Sequence, residues 1–175
     1  MAECLFCKIA KGEIKSAVVY DDPNVMAFLD IRPANPGHTL VITKGHFAVL
    51  PQLPEQLNSN LLQLVKLIAQ AQVEILGAEG VNVLQNNGAV AGQAVPHIHF
   101  HVIPRYKGDK VMLNWDAQEM EEGQMEEIQK RLSQRAKEIA SGVVEEKKTP
   151  AAKISEEPEE KPKKGKMHRV RSRNP

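Results

Sequence analysis

The stretch PHIHFHVIPR, residues 96–105, constrains the fold of this chain more than any other feature. Histidines alternate with branched or aromatic apolar residues, and side chains of a β-strand point to alternate faces. The pattern therefore predicts a strand with one histidine face and one apolar face that packs into a core. The histidines are His97, His99 and His101, and the apolar face carries Ile98, Phe100 and Val102. With a rise of about 3.3 Å per residue, neighbouring imidazoles lie about 6.6 Å apart, close enough to surround one small anion.

Two kinds of site fit this strand. A His-x-His pair offers two ring nitrogens to zinc, which is a common use of such a pattern. Alternatively, one histidine attacks a substrate as a nucleophile while its neighbours donate hydrogen bonds to a phosphate. The alternation alone leaves both possibilities open.

The rest of the sequence predicts an α+β domain ending near residue 140. Short β-type runs occur near residues 18–20, 25–29, 38–43 and 81–84, so the histidine strand makes a fifth. A first long helix is predicted after Pro54, ending at Gly77, with a stripe of apolar residues. That stripe comprises Leu57, Leu61, Leu64, Val65, Ile68 and Ile75. A second helix is predicted from Asp116, with Met125, Ile128, Leu132 and Ile139 on one side.

Charge is distributed unevenly and separates the domain from a tail. Residues 1–140 contain 13 Lys and Arg against 16 Asp and Glu, whereas residues 141–175 contain 10 against 6. All seven aromatic residues precede position 116, so the tail has few large apolar groups with which to form a core. We therefore expect residues 141–175 to be a disordered basic tail. Its last 15 residues hold seven Lys or Arg and no acid, which suits nucleic acid or an acidic surface as partner, although such a run is more often only solvated.

Cysteine content and hydropathy restrict the class of protein further. The only two cysteines, Cys4 and Cys7, are spaced for metal binding rather than for a disulfide framework. No stretch approaches the roughly 20 apolar residues of a membrane span, and the N-terminus lacks the pattern of a secretion signal. These features predict a cytoplasmic protein that does not bind membranes.

The motif GQAVPHIHFHVIPR resembles the signature of the histidine-triad (HIT) nucleotide-binding family. The resemblance extends over most of residues 3–140 and includes CLFCKIAKGEI, VMAFLDIRPANPGHTLVITKGHF and LQNNG in the family's order. His101 stands where the uridylyltransferase branch has glutamine, so the chain is more similar to the hydrolases, and its cysteine pair is similar to the Hint-like group. The resemblance implies a HIT-like fold, with a five-stranded antiparallel sheet, two main helices and a homodimeric assembly.

The resemblance also implies the roles of individual residues. His99 corresponds to the nucleophile, whose other ring nitrogen must donate to an acceptor such as a backbone carbonyl. His101 and His38 correspond to phosphate-binding histidines, and His97 completes the triad. The implied nucleotide-binding residues are Phe6, Ile9, Phe28, Asp30, Ile31, Asn86, Gly92, Gln93, His99 and His101. Among these, Asp30 would bind the ribose, while Phe28 and Ile31 would line the base pocket. Without the resemblance, Phe28 and Ile31 are ordinary core residues and His38 is a turn residue.

Bacterial members of the family imply a structural zinc site. Its ligands would be Cys4, Cys7, His46 and His97. On this interpretation His97 would bind the metal, while His99 and His101 would bind phosphate. One departure from the family lies at Ala94, where relatives often carry Ser or Thr, because alanine has no side-chain donor.

The function predicted from these features is that of a nucleotidyl hydrolase. It would cleave purine nucleoside 5′-phosphoramidates or related conjugates, including dinucleoside polyphosphates, through a nucleotidyl-histidine intermediate to give AMP or GMP. A purine-nucleotide sensor or scaffold with incidental hydrolysis uses the same pocket and stays open as an alternative. A redox or zinc-transfer role for Cys4 and Cys7 leaves Asp30, His38 and Asn86 unexplained.

Overall fold

An antiparallel sheet of five strands carries the histidine strand. The computed structural model, which describes residues 4–142, contains in chain order α1 (Leu5–Ala10), β1 (Val18–Asp21), β2 (Val25–Leu29), β3 (Thr39–Thr43), α2 (Glu55–Leu76), β4 (Gly80–Gln85), β5 (His99–Arg105) and α3 (Glu122–Ala140). The strands lie in the order β1-β2-β3-β5-β4, and every neighbouring pair is antiparallel. The predicted α+β class and five-stranded antiparallel sheet are confirmed.

The register of the strands defines the sheet face that carries the histidines. His99 lies opposite Ile42 and His101 lies opposite Leu40 on β3. Leu40 in turn lies opposite Phe28 of β2, so His101 and Phe28 lie in one row across the sheet. The short helix α1 covers this face by packing Phe6 and Ile9 against Met26, Phe28, Leu40 and Ile42.

The opposite face of the sheet packs against α2. As predicted from the alternation, Ile98, Phe100 and Val102 are buried in this core. They pack with Val25, Ala27 and Val41 of the sheet and with Leu61, Leu64, Val65 and Ile68 of α2. Because successive side chains of β5 alternate, burial of the apolar face leaves its histidines on the other side.

The end of α2 differs from the sequence prediction. Ile75 is 79% exposed, so its assignment to the buried stripe is wrong. The stripe continues through Gln72, which is buried, to Leu76, whose side chain lies beside Gly37. The α-helical period places residues four apart on one face, which brings residues 68, 72 and 76 rather than residue 75 toward the sheet. The helix ends at Gly77, as predicted.

The last helix begins later than predicted. It starts at Glu122 instead of Asp116, and Glu121 at its N-cap position makes no side-chain capping bond. No residue of α3 is buried, and Met125, Ile128, Leu132 and Ile139 are between 38% and 66% exposed. Helices without tertiary packing depend on their own propensity, and Asn114, Trp115 and Asp116 are poorer helix formers than the Gln, Glu, Lys and Arg residues that follow.

The predicted tail lies almost entirely outside the described residues. Within residues 4–142, α3 ends at Ala140, and Ser141 and Gly142 form a turn. None of the described helices is long and apolar enough to cross a lipid bilayer.

Candidate active site and metal centre

A cavity of about 300 Å³ opens on the histidine face of the sheet. It lies between α1, the end of β2, the segment of residues 14–16, the loop of residues 92–95, and β5. Most of its wall is apolar, and its polar side chains include His99, His101 and Asp30. The predicted site residues that line it are Phe6, Ile9, Phe28, Asp30, Ile31, Gly92, His99 and His101.

His99 has a defined tautomer. Its Nδ1 lies 2.6 Å from the carbonyl oxygen of His97. A carbonyl can only accept, so Nδ1 carries the proton and donates it, and Nε2 keeps its lone pair. The predicted donation from this ring to a backbone carbonyl is therefore present. Burial lowers the pKa of His99, opposed by its bond to the His97 carbonyl and by the charge of Asp30, so the ring stays neutral at neutral pH.

His38 and His101 form a relay of hydrogen bonds. The backbone N–H of Ala34 donates to Nδ1 of His38 at 3.2 Å, so this nitrogen has no proton. In the neutral ring Nε2 of His38 then carries the proton and donates it to Nδ1 of His101, 3.0 Å away. His101 consequently carries its own proton on Nε2. A single backbone N–H thus determines which nitrogen of His101 can donate.

Burial keeps both rings of the relay neutral. The pKa of His101 is lowered to about 4, first by burial and then by its neighbours His99 and His38. Burial also lowers the pKa of His38, although Asp30 opposes the shift. The carboxylate Oδ2 of Asp30 lies 3.6 Å from Nδ1 of His38, which is too long for a hydrogen bond.

A second cluster holds the two cysteines and the remaining histidines. Cys4, Cys7, His46 and His97 each present one potential ligand atom, and these atoms all lie within 4.8 Å of one another. His97 is completely buried, and its Nε2 donates to the carbonyl of Thr43 at 2.8 Å. Nδ1 therefore keeps its lone pair and faces the two sulfurs. Burial lowers the pKa of His97 to about 4, which keeps this nitrogen available to a metal ion.

The spacing of this cluster fits tetrahedral zinc. The Sγ···Nδ1 distances are 3.5 Å from Cys4 to His97, 3.5 Å from Cys7 to His97 and 3.3 Å from Cys7 to His46. Zn–S bonds of about 2.3 Å and Zn–N bonds of about 2.0–2.1 Å at tetrahedral angles place sulfur and nitrogen about 3.6 Å apart. The Thr43 carbonyl orients His97 from behind, as is usual for a metal-bound imidazole. The donors present thus match zinc in kind, number and spacing.

Some predicted residues lie outside the cavity wall. The amide of Gln93 accepts from the N–H of Gly88 at 2.7 Å and donates to the carbonyl of Ala48 at 2.6 Å. It therefore holds the loop of residues 88–93 in place instead of facing the cavity. The side chain of Asn86 lies beside Gly92 and does not line the cavity. His38 does not line it either, and its Nε2 is bonded to His101. The ring of His38 thus contacts His101, which lines the cavity, and does not itself line it.

Sequence reasoning missed the residues that hold the loop before His38. Asn35 donates to the carbonyl of Pro104 and to Asp109, and Asp109 pairs with Arg105. The oppositely charged residues Arg105 and Asp109 flank the Lys107-Gly108 turn just after the histidine strand, and this pattern could have indicated the network. Lys15 and Arg32 also line the cavity, and no pattern in the sequence singles them out.

Comparison with known proteins identifies the family. Residues 11–108 match the HIT domain family. The chain belongs to the HIT family. It is 39% identical over 132 residues to the adenosine 5′-monophosphoramidase of Saccharomyces cerevisiae, covering 75% of this chain and 81% of that protein. The predicted membership of the Hint-like branch is confirmed.

Solved structures of HIT proteins share the fold. A HIT family protein of Bacillus subtilis matches with a TM-score of 0.72 and 40% identity, covering 76% of this chain and 96% of that one. A zinc-bound histidine triad protein of Mycobacterium smegmatis matches with a TM-score of 0.61 and 37% identity, covering 77% and 96% of the two chains.

Proposed function

We propose that this HIT protein hydrolyses purine nucleoside 5′-phosphoramidates and related nucleotide conjugates at the α-phosphorus, releasing AMP or GMP. The observation that carries the proposal is the tautomer of His99, whose Nδ1 donates to the His97 carbonyl at 2.6 Å. This leaves Nε2 of a cavity-lining ring unprotonated and nucleophilic. The similarity to adenosine 5′-monophosphoramidases supports the same reaction class.

The nucleoside would occupy the part of the cavity near β2. Phe28 and Ile31 would contact the base, with Phe6 and Ile9 completing the wall. Ile31 is 92% exposed, so a base stacked on it would bury apolar surface. One oxygen of Asp30 accepts from the N–H of Arg32 at 2.8 Å, which holds the carboxylate at the cavity wall, where it would accept the ribose hydroxyls.

The reaction would proceed in two displacements at phosphorus. The lone pair of His99 Nε2 attacks the α-phosphorus, the bond from phosphorus to the leaving nitrogen breaks, and that nitrogen departs as the amine by taking a proton from solvent water. Water then attacks phosphorus and gives a proton back to the solvent, the bond from phosphorus to Nε2 breaks, and AMP leaves with His99 neutral again. Dinucleoside polyphosphates would react in the same way, with a nucleotide as leaving group.

Three neighbours of His99 would support these steps. His101 would donate its Nε2 proton to a phosphate oxygen as charge develops there. His38 would act as a positioning residue through its bond to His101, and His97 would position His99 through its carbonyl oxygen. Gly92, at a φ of 85°, allows backbone to approach the phosphates closely, while Gln93 and Asn86 would support that loop.

Zinc would have a structural role in this mechanism. Cys4, Cys7, His46 and His97 would hold it, and the metal would fix His97, whose carbonyl orients His99. Bound zinc stabilises the folded state and supplies no step of the reaction.

The assembly and location predicted from sequence stay predictions. A homodimer is consistent with the exposed apolar side of α3 and with β4 at the sheet edge. Binding of the tail to nucleic acid or an acidic surface falls on residues outside the described range. A cytoplasmic location likewise stays a prediction.

The decisive experiment measures amine release from adenosine 5′-phosphoramidate by purified protein. We expect turnover by the wild type and a loss of about 10³-fold or more in His99→Ala, because the nucleophile is gone. Binding of AMP to His99→Ala, measured by calorimetry, checks that the pocket is intact. Micromolar AMP binding without amine release by the wild type would refute the hydrolase and favour the nucleotide sensor.

A further inference from the structure

We propose that Asn35 is a positioning residue that selects the tautomer of His38 and thereby keeps a proton on the substrate-facing nitrogen of His101. The expected effect on catalysis rests on the proposed function, whereas the predicted tautomers of His38 and His101 do not depend on any reaction.

The pair of rings can share its proton in two ways. Nε2 of His38 and Nδ1 of His101 lie 3.0 Å apart with room for one proton between them. If His38 supplies that proton, His101 keeps its own on Nε2 and can donate to phosphate. If His101 supplies it, Nε2 of His101 has a lone pair instead of a proton and cannot donate to the phosphate oxygens. The two patterns have opposite consequences for an anionic substrate.

Two groups compete for the other nitrogen of His38. The N–H of Ala34, at 3.2 Å from Nδ1, can only donate and therefore selects the first pattern. The carboxylate of Asp30 lies at 3.6 Å from the same atom and can only accept, so its closer approach would place a proton on Nδ1 and select the second pattern. The position of residues 34–38 decides which group makes the bond.

Asn35 fastens this loop to the end of the histidine strand. Its Nδ2 donates to the carbonyl of Pro104 and to Oδ2 of Asp109, each at 2.9 Å. Its own carbonyl accepts the backbone N–H of His38 at 3.0 Å. Asn35 therefore connects His38 to the strand that carries His101, and it follows Ala34 directly in the chain.

Asp109 gives Asn35 a fixed partner. Its carboxylate is only 7% exposed and accepts from the guanidinium of Arg105 at 2.7 Å and from the backbone N–H groups of Tyr106 and Val111. These donors hold the pKa of Asp109 well below its usual range, so the carboxylate stays charged.

The other side of the loop is held by α2. Gln72 donates to the carbonyls of Gly37 and Val102, each at 2.9 Å. Gly37 has a φ of 93°, and an added Cβ would lie 2.3 Å from Leu76. Contacts with α2 therefore hold the turn at Gly37, and the side chain of Asn35 holds it two residues earlier.

Nitrogen-15 NMR of labelled histidine tests the inference, because each ring nitrogen reports whether it carries a proton. At pH 7.5 we expect protonated Nε2 on both His38 and His101 in the wild type. Asn35→Ala, and the similarly sized Asn35→Asp, which cannot donate, should shift part of His38 to the Nδ1-protonated form. For adenosine 5′-phosphoramidate, kcat should fall about 10-fold while KM changes less than twofold, since the misplaced group acts on phosphate charge.

Asn82→Ala is the matched control. Asn82 bonds to Arg105 from β4 without contacting the loop, so its loss disturbs the same network but should leave the His38 tautomer and kcat unchanged. Wild-type His38 protonated on Nδ1 would overturn the inference even if neither Asn35 variant folds. Unchanged tautomers in both Asn35 variants would also overturn it. Absence of turnover in the wild type would refute the proposed function alone, because the NMR result does not depend on it.

Discussion

His97 and His99 are two residues apart, both buried, and each donates one ring proton to a backbone carbonyl, yet they use opposite nitrogens. His97 donates from Nε2 to Thr43 at 2.8 Å, and its free Nδ1 faces Cys4 and Cys7. His99 donates from Nδ1 to His97 at 2.6 Å, and its free Nε2 remains for the cavity. The backbone acceptor thus separates the proposed metal-binding neighbourhood from the proposed catalytic one.

Burial does not explain the difference between these neighbourhoods. His97 is completely buried and His99 is 4% exposed, and burial lowers the pKa of both. Both rings are therefore neutral at neutral pH and both offer a lone pair. What distinguishes them is what surrounds the free nitrogen, namely two thiols in one case and an open pocket with Asp30 and His101 in the other.

Substitution of His101 gives the largest of the effects that separate the two neighbourhoods. In His101→Ala the phosphate loses its Nε2 donor, so we expect kcat for adenosine 5′-phosphoramidate to fall about 10²–10³-fold. Zinc content, measured by mass spectrometry of metals, should not change. His38→Ala should cost less than His101→Ala, because His38 acts through His101. A larger loss in His38→Ala would contradict the order of the relay.

Removal of a zinc ligand tests the other neighbourhood. Cys7→Ser should lose bound zinc and lower the melting temperature, because a closed four-ligand site stabilises the folded state. We expect kcat to fall only about 10-fold, through weaker positioning of the His97 carbonyl. Loss of turnover as complete as in His99→Ala, with the fold intact by circular dichroism, would mean that the metal takes part in the chemistry.

The pH dependence follows from the buried neutral rings. The pKa of His99 in the folded protein lies below the ordinary 6.5, so protonation removes the nucleophile only as pH falls below that value. Burial lowers the pKa of His101 to about 4, so this ring also stays neutral over the same range. We expect kcat/KM to vary less than about threefold between pH 8 and 6.5 and to decline below pH 6. An acidic limb centred at or above pH 6.5 would show that the rings are not desolvated in solution.

The sequence predicted which residues meet at the site better than it predicted their chemistry. Alternation in PHIHFHVIPR was sufficient to separate the core side of β5 from its histidine side, because period-two burial leaves no other arrangement. For His97 and His101 the choice of nitrogen was out of reach, since it depends on the Thr43 carbonyl and, through His38, on the Ala34 N–H, which are distant from those two rings in sequence. The role of Asn35 was missed for the same reason.

The predicted helices differ from the observed ones near their ends, where tertiary packing does not follow the local pattern of apolar and capping residues. The stripe of α2 packs on the sheet, so its predicted apolar residues were right except at the end, where Gln72 is buried and Ile75 is exposed. No residue of α3 is buried, so no core packing reinforces the pattern, and a good capping residue at Asp116 did not determine the start.

The smallest predicted effect concerns Ala94, which lines the cavity together with His99 and His101. Its methyl group donates nothing, so a leaving amine must take its proton from water or from a ring. Ala94→Ser would place a hydroxyl there, and we expect kcat to rise about two- to fivefold for a phosphoramidate with a basic amine, where departure is difficult. A conjugate with an acidic phenol as leaving group serves as the control, because it departs without a proton and should react at an unchanged rate. Equal acceleration of both conjugates would show that the hydroxyl acts on the phosphate oxygens, which would extend the donor side of the catalytic neighbourhood from His101 to the loop of residues 92–95.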